Sequence, residues 1–150
     1  MSAPARGLLD TSVFIASETG RKLQTGRLPE ESAVSAITIA ELHVGVLAAK
    51  EVDTRARRLA TLEAVADIEL LVVDAAVSAA WALLRVHLAE TGHRLNVNDL
   101  WIAATALVPL CPVAIAHEIL QKKHLQRCAA QVSHDTRSGV INNNTIQYFH

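Results

Sequence analysis

Gly7-Leu8-Leu9-Asp10-Thr11-Ser12-Val13-Phe14-Ile15 is the stretch on which the fold turns. Ala5–Leu9 reads as a short apolar strand that ends at a carboxylate, and a brief helix follows through Val13-Phe14-Ile15-Ala16. The alternation continues outward. Ala33–Ile37 is a second strand, and Thr38 opens a helix running to about Lys50. Asp53 is placed to cap a helix through Val65, with Leu59, Leu62 and Val65 on one face. Ile68–Val73 is a third strand. Asp74 starts a long amphipathic helix to about Thr91, stopped by Gly92. Asn98 opens a helix that ends before Pro109, and Pro112–Ala116 makes a fourth strand. Strands alternating with helices predict an α/β three-layer sandwich with a mostly parallel central sheet flanked by helices. Ligands of such sheets sit beyond the carboxyl ends of the strands. Asp10 lies there directly, and Glu41 and Asp99 lie on helices that begin near that edge.

Those three acids stand almost alone in uncharged surroundings. Asp10 is the only charged residue between Arg6 and Glu18, Glu41 the only one between Glu31 and Lys50, and Asp99 the only one between Arg94 and Glu118. An ionised carboxylate among hydrophobes is costly unless a positive group or several donors compensate it. Two such groups ~4 Å apart repel by ~4 kcal/mol at an effective dielectric of 20. A shared divalent cation is the simplest common partner, since no Lys or Arg is near any of the three in sequence. Each acid also has a plainer explanation as a helix cap. Thr38-Ile39-Ala40-Glu41 matches a capping box, and Asn98 could cap the helix that carries Asp99. Three such sites together favour a site assembled from several elements.

Composition narrows the classes. At 150 residues, with 51% hydrophobic and 19% charged residues, the chain reads as one globular domain with a real core. Aromatics at 3% provide no stacking platform for single-stranded nucleic acid, and a net charge of −1 provides no general attraction to phosphate backbones. A nucleic-acid partner would need a local patch. Arg85, His87, His93 and Arg94, or Arg55, Arg57 and Arg58, could supply one, though a solvated helix face accounts for either group. Leu100–Ala116 is uncharged and mostly apolar but is short for a membrane span and is broken by Pro109 and Pro112. The run after Arg6 is too short for a secretory signal. Cys111 and Cys128 are therefore expected as reduced thiols in a cytoplasmic protein. With His117 and His124 they match no standard zinc spacing.

Leu8-Leu9-Asp10-Thr11-Ser12-Val13-Phe14-Ile15, Thr38-Ile39-Ala40-Glu41-Leu42-x-x-Gly45 and Asn98-Asp99-Leu100-Trp101-Ile102-Ala103-Ala104 resemble the acidic motifs of PIN domains. The match is closest to the VapC-type toxins of bacterial toxin–antitoxin pairs, and runs from about Gly7 to Leu107. The resemblance implies a PIN-like sandwich and a metal-dependent endoribonuclease, often a homodimer, neutralised by a cognate VapB-type antitoxin. It carries Asp10, Glu41 and Asp99 over as the acids that bind Mg²⁺ or Mn²⁺ and act on RNA. Thr11 or Ser12 would be a hydroxyl near the first carboxylate, and Asn98 a helix cap or a support to the acids. Oxygen-rich coordination suits Mg²⁺ or Mn²⁺ rather than zinc.

The chain departs from this pattern near Val108. PIN toxins usually carry a fourth acid just after the fourth strand. Here that position holds His117, with Glu118 beside it as the available substitute ligand. Asn and Gln rise from three in residues 1–107 to seven in residues 108–150, and net charge moves from −3 to +2. Residues 108–150 are thus an atypical end to the single domain, whether altered or naturally diverged. Two other functions remain to be weighed. A PIN-like interaction protein could bind its antitoxin without cutting RNA. A phospho-acceptor receiver domain would need an adjacent acidic pair near the first strand and a Lys directly after a late strand, and neither is present.

Overall fold

The computed structural model describes residues 6–21 and 28–108. Three strands, β1 (Arg6–Leu9), β2 (Glu31–Ser35) and β3 (Glu69–Leu71), form a parallel sheet in the order β1-β2-β3. Leu8 is paired with Ala33, and Val34 with Leu70. Successive side chains on a strand point to opposite faces, and here each face has its own core. Leu8 and Ala33 pack with Val77, Leu84 and Leu88 of α4 (Ala75–Glu90) and with Leu100, Ile102 and Ala103 of α5 (Val97–Leu107). Leu9 and Val34 pack with Phe14 of α1 (Thr11–Glu18), Leu42 of α2 (Ala36–Ala48) and Val65 of α3 (Val52–Val65). Two cores on one sheet make three layers, as the alternating sequence predicts. The expected fourth strand, Pro112–Ala116, lies outside the described residues, as do Cys111, His117, Glu118, His124 and Cys128.

Four helices start on side-chain caps. Asp10 accepts from Ser12 N, Ser35 from Thr38 N, Asp74 from Val77 N and Asn96 from Asn98 N. Two of these differ from the sequence expectation. α2 begins on Ser35 rather than Thr38, so Thr38-Ile39-Ala40-Glu41 lies inside the helix and forms no capping box. α5 is capped by Asn96, which leaves the Asn98 side chain available for another contact. α3 begins after Glu51 without a side-chain cap bond, and Asp53 sits in its first turn, where its charge complements the helix dipole. Asp74 starts α4 as expected, and Gly92, at φ 71°, ends it in the left-handed region that glycine enters without a Cβ penalty.

Two inter-helix devices hold the layers. Arg58 of α3 donates to the Gly45 carbonyl at 2.6 Å, and Arg55 donates to the Ala49 carbonyl through Nε (3.2 Å) and Nη2 (2.7 Å). These carbonyls end α2 and have no helical partner, so the two guanidiniums serve as its C-terminal cap. Arg57 is exposed, and its guanidinium donates to Thr54 Oγ1 of its own helix at 3.3 Å. The Arg55-Arg57-Arg58 group is therefore largely structural. On the other face, Trp81 of α4 stacks on Trp101 of α5, with ring centroids 4.8 Å apart and planes 17° apart. Among the described residues no helix is long and apolar enough to cross a membrane.

Candidate active site

The carboxyl edge of the sheet opens into a cleft of about 890 Å³. Asp10, Thr11, Ser12, Glu41, Asn98 and Asp99 supply its polar lining, and Ile15, Ile37, Ala40, Val44 and Gly45 its apolar lining. All three acids singled out in the sequence thus face one space, each from a different element. Asp10 follows β1 directly. Glu41 sits in the second turn of α2, and Asp99 in the first turn of α5. Ile37, Ala40, Glu41 and Val44 are spaced as one stripe of α2, so this wall of the cleft was readable as a helical face.

Asp10 and Glu41 each have their own support. Asp10 is 4% exposed, and its Oδ2 accepts from Ser12 Oγ at 2.6 Å and from Ser12 N at 3.2 Å. The helix N-terminus adds a favourable field for its charge. The cap explanation for Asp10 therefore holds, and it does not compete with a place in the cleft. Glu41 is half-buried. Thr11 donates its hydroxyl to Glu41 Oε2, and Asn98 donates Nδ2 to Oε1 at 2.8 Å, although Asn98 is 57 positions away in the chain. Three elements, α1, α2 and α5, are therefore tied at one carboxylate.

The same bonds modify the sequence expectation of a tight cluster. Among the described residues no three His, Cys, Asp or Glu side chains converge closely enough to hold a metal ion unaided. Glu41 is turned onto Thr11 and Asn98, and Asp10 onto Ser12, which keeps like charges satisfied separately. The donor set still fits a hard divalent cation. Among the described residues the polar lining offers carboxylate, hydroxyl and amide groups, with no sulfur or imidazole. Mg²⁺ ordinarily takes one or two carboxylates and completes its shell with water and phosphate oxygens. Asn96 is the contributor that sequence reading missed. It stands between Leu95 and Val97, two positions before Asn98, and a cap there was assignable only once the helix start was known.

The fold and this cleft define a class. The PIN domain family model matches residues 7–118, and the chain belongs to that family. The match runs past Leu107, where the sequence resemblance was bounded. Within the family the chain is of the VapC type. It is 56% identical over 112 residues to ribonuclease VapC5 of Mycobacterium tuberculosis (strain ATCC 25618 / H37Rv), covering 75% of this chain and 83% of that protein. Ribonuclease VapC4 of the same strain is 45% identical over 102 residues, covering 68% of this chain and 78% of that protein. The crystal structure of VapBC-5 from Mycobacterium tuberculosis, a member of the VapBC family of toxin–antitoxin systems, superposes with a TM-score of 0.71. It is 50% identical, over 79% of this chain and 90% of that one.

Proposed function

We propose that this chain is a VapC-type endoribonuclease toxin. It hydrolyses RNA phosphodiester bonds with a divalent cation, Mg²⁺ or Mn²⁺, and is neutralised by a cognate VapB-type antitoxin. The observation that carries the reading is the cleft. Asp10, Glu41 and Asp99 enter it from three elements, and among the described residues no Lys or Arg lines it. Such a wall repels phosphate unless a cation intervenes. Asp10, Glu41 and Asp99 would hold the cation, with Glu118 as the further acid beside His117 in the sequence. When bound, the cation supplies Lewis acidity at a phosphoryl oxygen and neutralises charge gathering there.

The chain's own residues do the rest. Ser12 fixes the Asp10 carboxylate in orientation through two bonds to one oxygen. Thr11 and Asn98 fix Glu41 in the same way through both of its oxygens. Ile15, Ile37 and Val44 line the same cleft beside the carboxylates and give it an apolar surface. The same pairing of apolar and acidic lining suits an antitoxin segment that presents apolar side chains and a basic group. The structural relative is a toxin–antitoxin assembly. A homodimer and a cytoplasmic location belong to the same proposal, the first on the family resemblance and the second on an RNA substrate.

The test is cleavage of total RNA by the purified protein with Mg²⁺ or Mn²⁺, with and without EDTA. Metal-dependent cleavage that EDTA abolishes supports the reading. Metal-independent cleavage overturns the divalent chemistry. Absence of cleavage with retained binding of a small protein encoded beside this one would favour the non-cutting interaction protein, a reading that His117 at the fourth acid position keeps in view.

A further inference from the structure

Glu41 is held by donors from two other helices. The Thr11 hydroxyl on α1 occupies Oε2, and the Asn98 amide on α5 occupies Oε1. The reach of Asn98 depends in turn on the first turn of its helix. Its backbone N–H donates to Asn96 Oδ1 at 2.9 Å, and Leu100 N donates to the Asn96 carbonyl at 3.0 Å. We infer that Asn96 and Asn98 are positioning residues of the ribonuclease reaction, acting through Glu41. Asn96 sets the turn, Asn98 sets the carboxylate, and Glu41 enters the reaction already aimed. The inference deepens the ribonuclease proposal and rests on it.

Both asparagines are exposed, so neither fills a core, and their truncation leaves no cavity. What is lost is orientation, and misplacement of ~1 Å at a reacting centre can cost on the order of 10²-fold in rate. Asn98→Asp is nearly isosteric but replaces the donor with a like charge facing Glu41, so it should displace the carboxylate rather than merely release it. Asn96→Asp keeps a good N-cap acceptor, whereas Asn96→Ala removes it.

The experiment measures kcat and KM for RNA cleavage, Mn²⁺ affinity by calorimetric titration and thermal unfolding. The proteins are the wild type, Asn98→Ala, Asn98→Asp, Asn96→Ala, Asn96→Asp, Glu41→Ala and the Glu41→Ala/Asn98→Ala double variant. The expected result is a kcat lowered roughly 10-fold by Asn98→Ala with little change in KM, and lowered further by Asn98→Asp. Asn96→Ala should give a smaller fall that Asn96→Asp restores. In the Glu41→Ala background, Asn98→Ala should change neither rate nor Mn²⁺ affinity further. A wild type that cleaves while both Asn98 variants match it would overturn this inference and leave the ribonuclease reading standing. So would an Asn98→Ala effect on Mn²⁺ affinity that persists in full without Glu41, or Asn96→Asp performing no better than Asn96→Ala. A wild type that neither cleaves RNA nor binds Mn²⁺ would remove the ribonuclease reading, and this inference with it.

Discussion

Asp10 does two things with one side chain, and substitutions can separate them. Its Oδ2 caps α1 through Ser12, and its carboxylate charge faces the cleft. Asn caps helices about as well as Asp, so Asp10→Asn should leave the melting temperature nearly unchanged while abolishing metal-dependent cleavage. Asp10→Ala should abolish cleavage and also cost about 1 kcal/mol of stability. Asp99→Asn should behave as Asp10→Asn does. Cleavage assays paired with thermal unfolding check all three, and undiminished cleavage by both Asn variants would sink the role given to these acids. Position 117 provides a complementary gain. Replacing His117 with Asp restores the acid that the family pattern places there, so cleavage at saturating Mn²⁺ should rise above wild type. Glu118→Ala should lower it if Glu118 substitutes for that acid. The three cleft carboxylates were legible because their neighbourhoods hold no other charge. Their hydrogen-bond partners were not. Glu41 meets donors 30 positions before it and 57 after it, and local sequence encodes no such contact.

α2 shows how an element can be recognised and still be misplaced. Ile37-Thr38-Ile39 is β-branched and favours strand locally, which pulled the expected strand to Ile37 and the helix start to Thr38. The helix instead starts after Ser35. Ser35 is fully buried and accepts from Thr38 N at 3.0 Å, while Thr38 and Leu42 are buried beneath the helix. Burial of these side chains overrides the local preference. Ser35→Ala should therefore destabilise the protein by about 1–2 kcal/mol, because it removes the cap and the hydroxyl paired with Thr38 Oγ1. The far end of α2 makes a second case. Arg58→Ala frees the Gly45 carbonyl and should cost about 1 kcal/mol, visible as a lower urea midpoint. It should leave the salt dependence of RNA cleavage unchanged, since this guanidinium is engaged within the fold. A flattened salt dependence would return Arg58 to the nucleic-acid surface.

Across the whole molecule, stability should follow the two cores rather than the cleft. Leu84 is 0% exposed between α4, α5 and the sheet, so Leu84→Ala should cost about 2–5 kcal/mol in chemical denaturation. Leu47 on α2 is 79% exposed, and Leu47→Ala should fall within about 0.5 kcal/mol of wild type. The three-layer order was legible because strand and helix segments follow one another along the chain and each strand has an apolar pair at its centre or end, Leu8-Leu9, Ala33-Val34 and Leu70-Leu71. Strand boundaries were less so. Ile68–Val73 reads as one run, yet only Glu69–Leu71 pairs, and Val72 and Val73 pass into the connection to Asp74 exposed to solvent. Apolar character alone does not distinguish a paired edge strand from the segment leaving it.

The stacked indoles of Trp81 and Trp101 are the only two tryptophans in the chain, and they bridge the two helices that cover one face of the sheet. Their near-parallel rings, 4.8 Å apart, are close enough for their electronic transitions to couple. The folded protein should therefore carry an exciton signature in circular dichroism that neither ring produces alone. Trp101 lies on the helix whose first turn bears Asn98 and Asp99. Any tilt of that helix as the cleft fills changes the coupling, so the molecule contains its own optical gauge of events at its acidic edge. Trp81→Phe should erase the couplet while leaving the emission of Trp101.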